Sequence, residues 1–150
     1  MLGTEAFIEA SEPWLPAGYD REALRRLAPD VQQRVKTLAE VPAMVDFLFV
    51  AEPEMDGASW EKAVSGNDMA RSVLTAARDV FSDLRWEAPA IEEAVKALAE
   101  RLDLKVPKAQ APIRVAVTGR TVGPPLWLSL EVLGRDSALA RIDVALRRLG

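Results

Sequence analysis

The chain has 150 residues, 49% hydrophobic and 28% charged, a make-up with which one globular domain, or two small ones, can bury roughly two-thirds of the unfolded surface. It holds no cysteine and no histidine, which removes disulfides, thiolate and imidazole metal sites, cysteine nucleophiles and every histidine-dependent triad, and leaves carboxylates as the only candidate metal ligands. Net charge is −4, yet residues 1–104 carry 11 Lys/Arg against 20 Asp/Glu while residues 105–150 carry 8 against 3, so a basic end on an acidic body permits contact with nucleic acid without demanding it.

Thr4 reads as the N-cap of a helix from Glu5 to about Glu12, limited by Pro13; its hydroxyl can accept an orphan backbone N–H, and Glu5 lies in the positive first turn. Asp20 caps a second segment in which Leu24, Leu27, Val31, Val35 and Leu38 recur at helical steps and define one buried stripe. Pro29 is placed to kink or split it. A short helix follows from Pro42, with Met44, Phe47 and Leu48 as its apolar set. Between Glu52 and Asn67 the chain carries Pro53, Gly57 and Gly66, and only residues 59–64 can make a turn or two of helix. This is the best domain boundary.

Asn67 is a good cap for a helix whose inner face is expected to carry Met69, Val73, Ala76, Val80 and Leu84. A further helix, Ala88 to about Leu102, buries Ile91, Val95 and Leu98, with Pro89 in its first turn and Glu92, Lys96 and Glu100 four apart outside. Residues 113–118 alternate β-branched side chains as a strand would. No comparable second strand exists to pair with them, and a lone strand leaves its backbone groups unpaired, so a helix from about Lys108 to Thr118, ended by Gly119, is expected. Pro124 and Pro125 open a short helix to Leu133, closed by Gly134. The last helix, about Ser137 to Leu149, is expected to turn Leu139, Ile142, Leu146 and Leu149 inward and Arg141, Arg147 and Arg148 outward. The pattern predicts an all-α fold.

Few constellations carry chemistry. Glu52, Glu54 and Asp56 alternate as calcium ligands do, but the remaining ligands and the closing glutamate are missing. Glu92 and Glu93 lie on a solvated helix face, where no raised pKa for acid catalysis is expected. The longest apolar runs, such as 44–51 with Asp46 inside it, are too short to span a membrane, and residues 1–10 lack the basic start of a secretion signal. A cytoplasmic protein with no membrane partner is expected.

Three pieces of sequence carry a family resemblance: RVKTLAEVPAMVDFLF at 34–49, Trp86 leading into the Ile91 helix, and residues 111–149. In the last, Arg114, the Thr118-Gly119 turn, the Gly123-Pro124-Pro125-Leu126 loop and Leu133-Gly134 follow in order. On these the chain resembles the C-terminal anticodon-binding region of bacterial glutamyl-tRNA synthetase, over nearly its whole length. The resemblance implies two packed helical subdomains, residues 1–58 reading the third anticodon base and residues 59–150 the first two. It implies that Arg34 reads the third base, cytosine in glutamate tRNA. A guanidinium is a donor-only fork that suits the O2 and N3 acceptors of cytosine, whereas the N3–H of uracil would oppose it.

The resemblance further assigns Arg114 and the turn from Val122 to Leu126, with Gly123, Pro124 and Leu126, to the first two bases, and Lys96 to a basic position near the anticodon strand. Leu126 or Trp127 could offer an apolar platform to an unstacked base. Gly123 stands where the family often has a hydroxyl side chain, which leaves the backbone to do the reading there. Each residue also has a plainer reading: Arg34 as a snorkelling surface arginine, Trp127 as core, Lys96 as a partner only of Glu92 and Glu100. The histidine-containing and lysine-serine signatures of class I synthetase active sites are absent. ATP, magnesium and glutamate are therefore expected only in a catalytic domain preceding this region, with Met1 an artificial or alternative start. The expected partner is the anticodon loop of glutamate tRNA, not DNA, bound by a monomer without cofactor of its own. The rival readings are a helical protein-interaction domain with a basic C-terminal surface and a stand-alone enzyme using carboxylates.

Overall fold

The computed structural model describes residues 3–50 and 52–150; the start at Met1 and the end of the 44–51 run lie outside them. Helix α1 spans Thr4–Ser11 and α2 spans Arg21–Arg34. The Asp20 carboxylate accepts the backbone N–H of Ala23 at 3.1 Å, so α2 starts at its expected cap. Thr4 is not the cap of α1: the backbone turns at Gly3, and Thr4 is already helical. Pro29 lies inside α2, which runs unbroken to Arg34.

Beyond Arg34 the backbone extends at Val35, so the stripe ends with Leu24, Leu27 and Val31, all fully buried. A capping box, Thr37 with Glu40, starts a 3₁₀ turn at Leu38–Glu40. It leads into α3, Val41–Val45, and a second 3₁₀ turn, Asp46–Phe49. Val41, Val45 and Phe47 are the side chains buried here, while Met44 and Leu48 pack at the margin.

The segment expected as the boundary is more ordered than its glycines suggest. Asp56 caps a helical turn α4, Gly57–Trp60, by accepting the Ser59 N–H at 2.9 Å and its hydroxyl at 2.7 Å, and Glu61–Ser65 continues it as a π turn. Trp60, Ala63 and Val64 enter the larger core. The Asn67 side chain accepts the Met69 N–H at 3.0 Å just before α5, Ala70–Phe81. The buried face of α5 is Ala70, Val73, Leu74, Ala77 and Phe81, rotated from the expected one; Met69, Ala76, Val80 and Leu84 flank it.

Helix α6 spans Ala88–Arg101 and buries Ile91, Val95 and Leu98; α7 spans Val106–Thr118 and ends where Gly119 takes φ 84°. That glycine is required twice over, because a Cβ there would lie 2.1 Å from the Glu54 carbonyl oxygen. Two helices finish the chain, the short α8 at Leu126–Leu133 and the longer α9 at Arg135–Leu149. No strand occurs among the described residues.

Two apolar clusters result. The smaller gathers α1, α2 and α3 around Leu24, Leu27 and Val31; the larger gathers α4 to α9 around Phe81, Ile113 and Ile142. Helix α8, apolar at six of its eight positions in LWLSLEVL, lies between them: Leu126 and Leu130 enter the larger cluster, while Leu128 and Val132 pack on the smaller. A helix apolar on all sides has no face to give to water, and this one gives both to protein. Its Glu131 pairs with Arg26 of α2 and accepts the Ala88 N–H at 2.8 Å, which satisfies the start of α6.

Candidate nucleic-acid interface

The C-terminal end of α7 and the turn after it are built by side chains closing on backbone. Arg114, half-buried, donates from Nη1 to the Pro124 carbonyl at 2.8 Å, which ties the helix to the 122–126 turn. The Thr118 hydroxyl donates to the Arg114 carbonyl at 2.8 Å and accepts the Arg120 N–H at 3.2 Å. At Gly123 a Cβ would stand 3.2 Å from Arg114 Nη1, so the missing side chain lets the guanidinium lie against the turn. Pro124 is buried and Val122 is 75% exposed, an apolar tip beside the arginine.

Arg34 is the last residue of α2 and leaves 42% of its side chain open, steadied by a 3.1 Å bond from Nη1 to the Asp30 carbonyl. It stands within electrostatic reach of Arg114. Burial, and after it the Arg34 charge, push the Arg114 guanidinium below the usual arginine range. Two like charges within electrostatic reach of each other, one of them half withdrawn from water, favour an acceptor-rich or anionic ligand in front of them.

Leu126 and Lys96 have other engagements. The Leu126 side chain is 1% exposed in the larger core, so it presents no platform; its position at the start of α8 leaves its backbone N–H outside the intrahelical ladder. Trp127 is partly buried and packs against the same core. Lys96 lies on the outer face of α6, its ammonium 2.8 Å from Glu92, which raises its pKa through that contact first.

One basic residue reverses its expected direction. Arg141 does not face outward: it is 4% exposed and donates to the carbonyls of Val117 at 2.6 Å and of Phe47 and Val50, each at 2.8 Å. The sequence held a signal for this. Ala138, Arg141, Ile142 and Ala145 follow the i, i+3, i+4, i+7 spacing of one face, and all four are buried, while Leu139, Leu146 and Leu149 pack at the edge. Arg120, which the sequence did not single out, pairs with Asp46 at 2.7 Å and donates to the Ala43 carbonyl at 3.1 Å. Among the described residues no group of three or more acidic side chains is placed to hold a metal ion, and Asp56 serves as a cap. No helix among them is long and apolar enough to cross a membrane.

Known proteins resemble the chain over nearly its whole length. The family model described as "Anticodon binding domain" matches residues 6–146. The glutamate–tRNA ligase of Streptomyces coelicolor is 52% identical over 139 residues, covering 91% of this chain and 28% of the relative, and that of Frankia casuarinae is 45% identical over 156 residues, covering 99% and 33%. The chain thus spans about a third or less of the relatives' length. Among solved structures, a glutamate tRNA ligase from Elizabethkingia meningosepticum in complex with its amino acid superposes with a TM-score of 0.83 at 21% identity, over 99% of this chain and 30% of that one. The glutamate–tRNA synthetase of Elizabethkingia anophelis gives 0.79 at 21% identity, over 98% and 29%. On this match, the chain belongs to the anticodon-binding domain family.

Proposed function

We propose that the chain recognises the anticodon loop of glutamate tRNA, as the RNA-reading part of a glutamate–tRNA ligase. The observation that carries this reading is the bond that ties Arg114 to the stiff 122–126 turn, with Arg34, at the end of α2, within electrostatic reach of the same guanidinium. In this reading residues 1–58 read the third base through Arg34, and residues 59–150 read the first two through Arg114 and the turn. Unstacked bases are held by donors in rigid positions and by apolar surfaces. Arg34 offers the fork; Gly123 lets backbone come close; Pro124 fixes the turn at low ordering cost; Val122 offers the exposed apolar surface. Leu126 acts through its backbone N–H, its side chain being committed to the core. Lys96 would meet the strand's phosphates by exchanging Glu92 for RNA, a weaker and sequence-independent contribution.

Bond making belongs, in this reading, to a catalytic part of the longer enzyme, where ATP, magnesium and glutamate act in the cytoplasm. In this reading the chain itself takes no chemical step, and among the described residues no group of three or more acidic side chains is placed to hold a metal ion. The test is a titration of the chain with glutamate tRNA transcripts. Binding should weaken with added salt and with each change in the anticodon triplet. Equal affinity for any RNA, or none, would favour a protein-interaction domain instead.

A further inference from the structure

We propose that Arg141, assisted by Arg120, is a positioning residue that locks the α1–α3 half against the end of α7, so that Arg34 and Arg114 are presented to RNA at one fixed separation. The proposal rests on the anticodon reading above and deepens it.

Arg141 occupies an apolar position of α9 and makes no ion pair among the described residues. Its three bonds go to the carbonyls of Val117, Phe47 and Val50. Val117 lies in the last turn of α7, and Phe47 and Val50 lie at the end of the 3₁₀ turn. Carbonyls in these places lack partners within their helices and carry the negative end of the helix dipole. One guanidinium therefore closes two helix ends that belong to different halves of the molecule. Its planar fork fixes direction as well as distance, which apolar contact across α8 does not.

Arg120 repeats the connection from the other side. It follows the Thr118-Gly119 turn and holds Asp46 and the Ala43 carbonyl. The 43–50 stretch is thus gripped at both ends, by side chains flanking the end of α7. Arg114 lies one turn back along that helix, bonded through its carbonyl to Thr118, and Arg34 lies just upstream of the stretch, at the end of α2. The two readers are joined by a short path with few rotatable links. Two binding elements held at a matched distance act with a high effective concentration, and a loosened link forfeits it.

The chain has no cysteine, so spin labels at Ala6→Cys and Ala97→Cys, both exposed, report the distance between the halves without RNA. In Arg141→Met that distance distribution should broaden. Affinity for an anticodon stem-loop of glutamate tRNA should fall, and the penalty for changing the third base should shrink by about tenfold although Arg34 is intact, because RNA can then dock on one half alone. A variant that merely unfolds would lose active fraction and keep the ratio between triplets. Arg120→Ala, at a side chain 29% exposed and so a milder change, should move both readouts the same way by less, and Arg141→Lys should fall between Arg141→Met and wild type. An unchanged distance distribution, or unchanged third-base discrimination beside a triplet-sensitive wild type, would overturn the positioning role alone. A wild-type chain indifferent to the triplet would overturn the anticodon reading and this role with it.

Discussion

In the proposed reading, base choice turns on Arg34. Its stem leaves α2 at the margin of the Leu24–Leu27–Val31 stripe, and among the described residues its head is held by Asp30, one turn back, through a carbonyl bond and a 3.7 Å approach to the carboxylate. Such an exposed pair contributes little to stability, so the side chain can be removed without harming the fold. Arg34→Ala should therefore leave the unfolding midpoint nearly unchanged. It should cost about 1–3 kcal/mol of discrimination at the third base, by analogy with other bidentate base contacts. Competitive binding of stem-loops differing only at that base measures it, and full selectivity in the variant would remove Arg34 from the reading. Arg114 is a different case, because its Nη1 already holds the Pro124 carbonyl; its replacement would loosen the turn as well as remove a donor.

Whole elements depend on single caps. α2 carries Arg34 at its far end, and its near end is set by the Asp20 bond to Ala23. Asp20→Ala should destabilise the chain by about 1 kcal/mol, read as a lower urea midpoint at unchanged slope. A loss confined to less than a few tenths would mean that packing against α1 and α8 sets the helix by itself.

The elements are legible in sequence where local rules act alone: Asp20 as a cap, Gly119 as a stop, Pro124 and Pro125 before α8. The 113–118 segment reads as helix because it has no partner strand, and burial of seven of α7's thirteen residues holds it there despite Pro112. What escapes the sequence is set by distant contacts. The spacing of α9 admits Arg141 to the buried face, yet its charge argues for the outside, because the carbonyls of Val117, Phe47 and Val50 that offset it are brought there by the fold, two of them from more than ninety residues away. Likewise Arg34 and Arg114 can be named from the family pattern, but their mutual approach depends on the course of residues 35–50.

At the scale of the molecule, the chain should be indifferent to pH near neutrality and sensitive to salt. There is no histidine, and the groups whose pKa values folding shifts titrate elsewhere. The Arg25 guanidinium holds Glu5 below the usual carboxylate range; the N–H groups of Thr37 and Lys36 do so for Glu40, and the Ser59 hydroxyl and N–H for Asp56. A carboxylate depressed on folding contributes stability above its unfolded pKa, and that contribution is lost as pH falls through the folded value. Thermal unfolding should then give a flat midpoint from about pH 6 to 8 and a decline that begins below about pH 4.5. RNA affinity should be equally flat over the neutral range, since its donors are arginines that stay charged. It should fall with salt despite the net charge of −4, because residues 105–150 hold 8 Lys/Arg, six of them besides the committed Arg120 and Arg141, against 3 Asp/Glu, and each phosphate neutralised releases counterions. Salt titration at about pH 6 and pH 8 with one stem-loop tests both statements together. Parallel lines of negative slope are expected, and a slope near zero would place the basic end away from the RNA.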